Sequence, residues 1–377
     1  MKRFAWALLL ASCGARTDLG GRAVVDDAGS TGTCSPAPTP ASCTAWHAGV
    51  GQLGSGMGVS GAATESGCGV IAAWSVQEGD TIVWSTQWIG YDGALLAPAV
   101  VHPSLTSQST SSTMDLVEGG MLEVDSTGCH FVTVDASGEE QGAVKTFASD
   151  DCRSLSGAGS KWSFLSIASQ GGGSLVTLDG ATQTETPLVL AQPEYVWDRV
   201  VLSDGSFLAS SFWEDANTAT YTNWLTPFDA KGAALGPSVA VAGFDAAPLL
   251  LARAGDHAMA GWDWSTVEAL PVDAKGSALA SAQTITADNP IYELSLFTQP
   301  NGDVLVAWVV LGGPTNDMSL HARVVAPDGT PRGPETLLET GLASVQIHGA
   351  IESTGARAVL VLTTNEGKVE ALPLTCQ

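Results

Sequence analysis

Cations are scarce in this chain: 15 lysines and arginines against 39 acids leave a formal net charge of -24. A field of that sign repels phosphate backbones, so no nucleic-acid partner is expected. Apolar runs of the roughly twenty residues needed to cross a bilayer are lacking too. No long stretch keeps a 3.6-residue apolar period, which argues against an architecture of amphipathic helices. The Gly-x-Ser-x-Gly elbow, the P-loop, His-Glu-x-x-His and the Asp-x-Asp-x-Asp calcium loop are all missing. His47, His102, His130, His257, His321 and His348 are never spaced as metal ligands, and no metal or cofactor is expected. Gly49-x-Gly51-x-x-Gly54 and Gly56-x-Gly58-x-x-Gly61 match the letters of the dinucleotide fingerprint. They lack the preceding strand and following helix that would hold a pyrophosphate.

What is present is apolar and repetitive. Hydrophobic residues make up 45% and charged ones only 14%, enough for a sizeable core. Residues 301–341 are the clearest copy of a recurring unit. An Asn301-Gly302 turn leads to an apolar run ending at Trp308. An alternating run over 320–325 follows, then an Asp328-Gly329 turn and a short run through Leu338. Short runs separated by Asn-Gly and Asp-Gly are the local signature of antiparallel hairpins. Further copies begin near residues 68, 121, 164, 205 and 257, and a truncated one occupies 356–374. The markers return every forty to fifty residues, the span of a four-stranded propeller blade. The pattern predicts an all-β chain folded as a single β-propeller of seven blades over 44–377. The last blade lacks a strand, and residues 44–53 can supply it, so strands from both chain ends close the ring and leave no free edge. Tandem β-sandwiches are the rival fold, but no linker composition appears after Cys43.

The N-terminus carries a different signal. Lys2 and Arg3 precede an apolar run over 4–10, and Leu10-Ala11-Ser12-Cys13 follows. The run is too short to span a membrane and reads as an export signal over 1–12. Leu10-Ala11-Ser12-Cys13 resembles the bacterial lipobox. That resemblance implies cleavage before Cys13 and acylation of its thiol, with palmitate-like chains as the anchor. Gly14 stands where inner-membrane retention signals often carry Asp, so the resemblance implies the outer membrane, on its periplasmic or its surface face. Residues 13–43, with Pro36, Pro38 and Pro40 in alternation, read as a tether.

Export makes disulfides available, and Cys13 consumed by lipid leaves six cysteines. In a blade frame, Cys129 begins a third strand and Cys152 follows the fourth, so these two are expected to pair. Cys43 with Cys376 would seal the ring, leaving Cys34 with Cys68.

Trp74, Trp213, Trp262 and Trp308 end what read as equivalent apolar runs, the place for large rings packed between blades. A binding rim is the sharper expectation at Trp213-Glu214-Asp215 and Trp262-Asp263-Trp264. There Trp213, Asp215 and Trp264 would bind a sugar or protein, and Glu214 with Asp263 are the only carboxylates singled out for acid/base work. Taken together, the repeats and the lipobox resemble exported bacterial β-propeller lipoproteins. The expected role is a monomeric, lipid-anchored binding or scaffold protein of the envelope, with a protein or glycan ligand. An envelope polysaccharide hydrolase or lyase is the alternative.

Overall fold

The computed structural model describes residues 46–48, 51–55, 61–66, 69–78, 81–107, 113–169, 171–190, 195–215, 220–241, 248–263, 266–286, 291–312, 318–342, 345–364 and 368–376. Among them every extended element is a β-strand, and the strands assemble into seven antiparallel sheets. Six sheets are meanders of four strands in chain order, here blades 1 to 6, over residues 61–107, 113–147, 151–187, 195–241, 250–286 and 291–342. Blade 7 takes three strands from the C-terminal side: Val345–Ile351, Arg357–Thr364 and Lys368–Cys376. Its fourth position is filled by Trp46–Ala48 and Gly51–Ser55, both paired with Lys368–Cys376. Trp46 stands across from Cys376 and Ser55 across from Lys368. The first strand of each blade touches the first strand of the next, and that of blade 7 returns to blade 1. The chain is a closed seven-bladed β-propeller whose two ends share one sheet.

The core follows from that geometry. A twisted four-stranded sheet has two faces and no core of its own, so each blade hides its apolar side chains against its neighbours. Among the described residues there are seven apolar clusters, one in each seam between blades. The seam between blades 6 and 7, for example, joins Leu305, Ala307 and Leu320 to Ile347, Leu360 and Leu374.

Five turns from third to fourth strands, those closed by Gly93, Gly138, Gly232, Gly276 and Gly329, do more than reverse the chain. In blade 5, Asp273 Oδ1 accepts the amides of Lys275 and Ser277 at 2.8 Å each. Gly276 sits at φ +80°, the left-handed region that favours glycine. A Cβ there would lie 2.9 Å from the Cβ of Leu225 in blade 4. Gly93, Gly138, Gly232 and Gly329 likewise face the blade before their own. The repeated Asp-Gly motif is therefore a seam contact as well as a turn.

Three expectations change in the structure. The recurring unit read from sequence covers the second to fourth strands of each blade, and the first strands went unrecognised. Cys129 and Cys152 are bonded, with Cα atoms 6.1 Å apart. Cys152, however, lies in the first strand of blade 3, Asp151–Ala158, so the bridge crosses a seam instead of trailing blade 2. Third, Trp74, Trp262 and Trp308 are buried but Trp213 is 39% exposed. Counting from the first residue after each hairpin turn, Val304 and Phe207 correspond, so Trp308 corresponds to Ser211. Trp213 is two places further along, beyond the packed part of the seam. Cys376 is also disulfide-bonded. Cys13, Cys34, Cys43 and Cys68 lie outside the described residues, as do the pairings expected for them.

Candidate binding face

The first strands run around the central channel from an upper mouth, where they begin, to a lower mouth, where they turn into second strands. The loops joining second to third strands open on the upper mouth as well. Aromatic side chains gather there on blade 4. Tyr195 stacks on Phe212 with centroids 5.7 Å apart, Trp197 meets Phe212 edge-on at 5.6 Å, and Tyr221 lies 5.7 Å from it. Offset and edge-to-face contacts of this kind hold rings firmly while leaving faces available. The Tyr195 hydroxyl donates to the Ser169 carbonyl at 3.3 Å, tying blade 4 to blade 3.

The bulge between Val196 and Asp198 inserts Trp197 into the strand and re-aims it. The Arg153 guanidinium of blade 3 lies 4.2 Å from the Trp197 ring centroid, and its Nε donates to Asp151 Oδ2 at 2.6 Å. A matching bulge in blade 6, between Ile291 and Glu293, places Tyr292 at the same mouth. Tyr195 is 38% and Tyr292 42% exposed, comparable with Trp213. Glu214 is exposed and stands across from Tyr221. Burial raises the Tyr221 phenol above its usual range, and the Glu214 charge pushes the same way.

The residues expected from sequence are thus partly brought together. Trp213 and Glu214 are exposed beside this patch. Asp215 and Asp263 end second strands of adjacent blades, but their side chains lie outside the described residues, as do all of Trp264 and Cys13. Tyr195, Trp197, Phe212, Tyr221 and Arg153 were missed. One signal was available: the chain has four tyrosines, and Tyr195, Tyr221 and Tyr292 all reach this mouth. Among the described residues, no three His, Cys, Asp or Glu side chains converge as a metal site requires.

The channel wall below the mouth is polar and tightly bonded. Asp198 is fully buried. Its Oδ1 accepts the Ser154 hydroxyl at 3.0 Å and the Arg199 amide at 2.7 Å, while Oδ2 accepts the Leu251 amide of blade 5 at 2.9 Å. Asp115 of blade 2 accepts the Leu155 amide of blade 3 at 2.8 Å. The Ser295 hydroxyl of blade 6 donates to the Ile347 carbonyl of blade 7 at 2.9 Å. First strands of blades 2, 4 and 6 each clasp the next blade through a side chain. Arg199 donates to the Ser154 carbonyl from Nε and Nη2, at 3.0 and 2.8 Å, and to the Ser163 carbonyl at 2.6 Å. Beside it, towards the lower mouth, a small solvent-open cavity of about 30 Å³ lies among the first strands of blades 3 to 6. Arg199, Arg253, Ser156 and Thr298 are among its lining residues, and no acid is.

With the ring and its mouths in place, the chain can be set beside solved structures. It is similar to the WD40 β-propeller domain of Doa1, at 14% identity with a TM-score of 0.52, covering 87% of this chain and 97% of that one. It is equally similar to the β-propeller domain of Myceliophteria thermophila Cps50 (Swd1), at 11% identity and a TM-score of 0.52, covering 86% of this chain and 99% of that one. At these identities the likeness is one of fold. No protein-family model and no curated protein matches the sequence.

Proposed function

We propose that the protein is a binding or scaffold module of the cell envelope, held there by lipid on Cys13, which meets a protein or glycan with its upper mouth. The observation that carries this reading is the aromatic cluster of Tyr195, Trp197, Phe212 and Tyr221 on blade 4, with Tyr195 partly exposed and Trp213 and Tyr292 exposed elsewhere on the same rim. Rigid aromatic faces beside a charged rim suit both sugar rings and peptide side chains, because they offer contact area at little entropic cost. The propeller fold is consistent with such a role, and the lipobox resemblance supports the address.

The test is capture of envelope proteins and screening of envelope glycans with the full chain and its Trp213→Ala/Tyr195→Ala double variant. A ligand retained by the parent and lost by the variant supports the reading. Polysaccharide turnover that disappears in Glu214→Gln or Asp263→Asn would replace it with the hydrolase alternative. For the anchor, Cys13→Ala should abolish labelling by a fatty-acid analogue and release the chain from membranes. Labelling that persists would remove Cys13 as the attachment point.

A further inference from the structure

On the outer part of blade 6 a serine, a histidine and a glutamate form a chain of hydrogen bonds. Ser319 and His321 are two apart on the third strand, Met318–Val325, so they share one face. Ser319 Oγ lies 2.8 Å from His321 Nε2, and His321 Nδ1 lies 2.6 Å from Glu335 Oε1. The carboxylate accepts at Nδ1, so the ring proton sits there and Nε2 is left to accept the Ser319 hydroxyl. Trp308 stacks on the imidazole, with centroids 5.9 Å apart and planes at 19°, and holds its orientation. Leu337 stands across from His321, and the pairing then slips between Ala322 and Val324, which takes Glu335 off the ladder. A second slip, between Met318 and Ser319, drops Gly341 from the register beside the serine. Gly341 sits at φ +75°, and no other described atom comes within 4 Å of where its Cβ would be. Open space thus adjoins the hydroxyl, and Ser319, His321 and Glu335 are all partly exposed.

Blade 1 carries the same order of atoms in a sealed form. Thr86 Oγ1 lies 2.8 Å from His102 Nε2, and His102 Nδ1 lies 3.1 Å from Glu140 Oε1. Thr86 and His102 are fully buried, and the Thr86 hydroxyl donates to the Gly138 carbonyl at 3.2 Å. That relay ties blade 1 to a turn of blade 2, whereas the one on blade 6 opens on solvent.

From this geometry we infer that Ser319 is an activated nucleophile that hydrolyses small esters, with His321 as its base and Glu335 positioning that base. Nucleophile, base and orienting carboxylate stand in the order and within the reach that acyl transfer to a serine requires. Ser319 Oγ adds to the carbonyl carbon of an ester while its proton passes to His321 Nε2. The ester C–O bond then breaks, and the departing alkoxide takes that proton. Water repeats both steps on the acyl-serine, releasing a carboxylic acid and restoring the hydroxyl. The opening beside Gly341 suits a small acyl group, and the net charge of -24 favours a neutral ester over an anionic one. The site is separate from the aromatics on blade 4, and either can fail without the other.

The test is treatment of the full chain with a fluorophosphonate probe, the adduct being located by peptide mass spectrometry, alongside release of nitrophenolate from 4-nitrophenyl acetate. An adduct on Ser319 and ester turnover are expected in the parent. Ser319→Ala should remove both, with turnover down about a hundredfold or more, and His321→Gln should cost about as much. Glu335→Gln should lower turnover about tenfold or more, and Glu335→Asp should recover part of that loss, which a merely structural role would not produce. Should His321→Gln fail to fold by circular dichroism, the parent adduct and Ser319→Ala decide the matter. No adduct on Ser319 in the parent, no nitrophenolate above buffer, or release that persists in Ser319→Ala would overturn the assignment.

Discussion

The walls of the channel and the outer hairpins of the blades obey different rules. Outer hairpins are apolar alternations ended by Asp-Gly turns, and each turn leans on the preceding blade. First strands carry buried Asp198, Arg199, Glu293, Ser295 and His348, and three of them, in blades 3, 4 and 6, are broken by bulges. Apolar contact tolerates small shifts, whereas a buried carboxylate with three donors tolerates few. The difference teaches that the hairpins set the size of the ring and the first strands set its register.

Removing a channel clasp should therefore do the most damage. Asp198→Ala leaves the buried Leu251 and Arg199 amides and the Ser154 hydroxyl without their acceptor, and about 3–5 kcal/mol of stability should be lost in urea unfolding. Replacing both Cys129 and Cys152 by Ala frees a loop of 23 residues' separation and should cost about 3 kcal/mol, measured the same way.

His348 sharpens the contrast through pH. Burial lowers its pKa to about 4, and neither ring nitrogen has a hydrogen-bond partner. The unfolded chain takes up this proton near the ordinary value of about 6.5, and the folded chain only near 4. Its contribution is present above the upper value and is lost as pH falls through the window between them, by up to about 3 kcal/mol. Burial also lowers His102, against the pull of Glu140, so it acts in the same direction. In His348→Leu the decline in stability between neutral pH and pH 4.5 should be visibly shallower.

On the hairpin side, Gly276→Ala forces a side chain into the left-handed region against Leu225, and about 2 kcal/mol of destabilisation is expected. Smallest of all, Trp213→Ala should change stability by less than about 0.5 kcal/mol, since its ring lies partly in solvent. A larger loss would mean that the upper-mouth aromatics are structural.

The same division explains what could be read from the letters alone. Hairpin strands announce themselves because their apolar residues alternate between two known punctuation marks, as in residues 301–341, and from their spacing the seven blades and the shared closing sheet follow. A first strand such as Tyr195–Val201 places Asp198 and Arg199 where a core strand would have valines, so no apolar period marks it. The proposed binding face was half visible. Trp213 and Glu214 lie at it, but Trp213 was grouped with the seam tryptophans because a two-residue offset in the blade is invisible without pairing partners. Arg153, Arg199 and Arg253 recur about one repeat apart in three successive first strands, yet only the ring brings two of them to one cavity.

Trp46 meets Cys376 on the outermost rung of blade 7, so any pull on the polypeptide ahead of Trp46 is delivered to the last strand of the ring. Load would enter along the strands from Trp46 to Ser55, stressing the rungs to Lys368–Cys376 before any other blade feels it. The clasp that shuts the circle is thus also its mechanical fuse, and tension would open the propeller at that seam first.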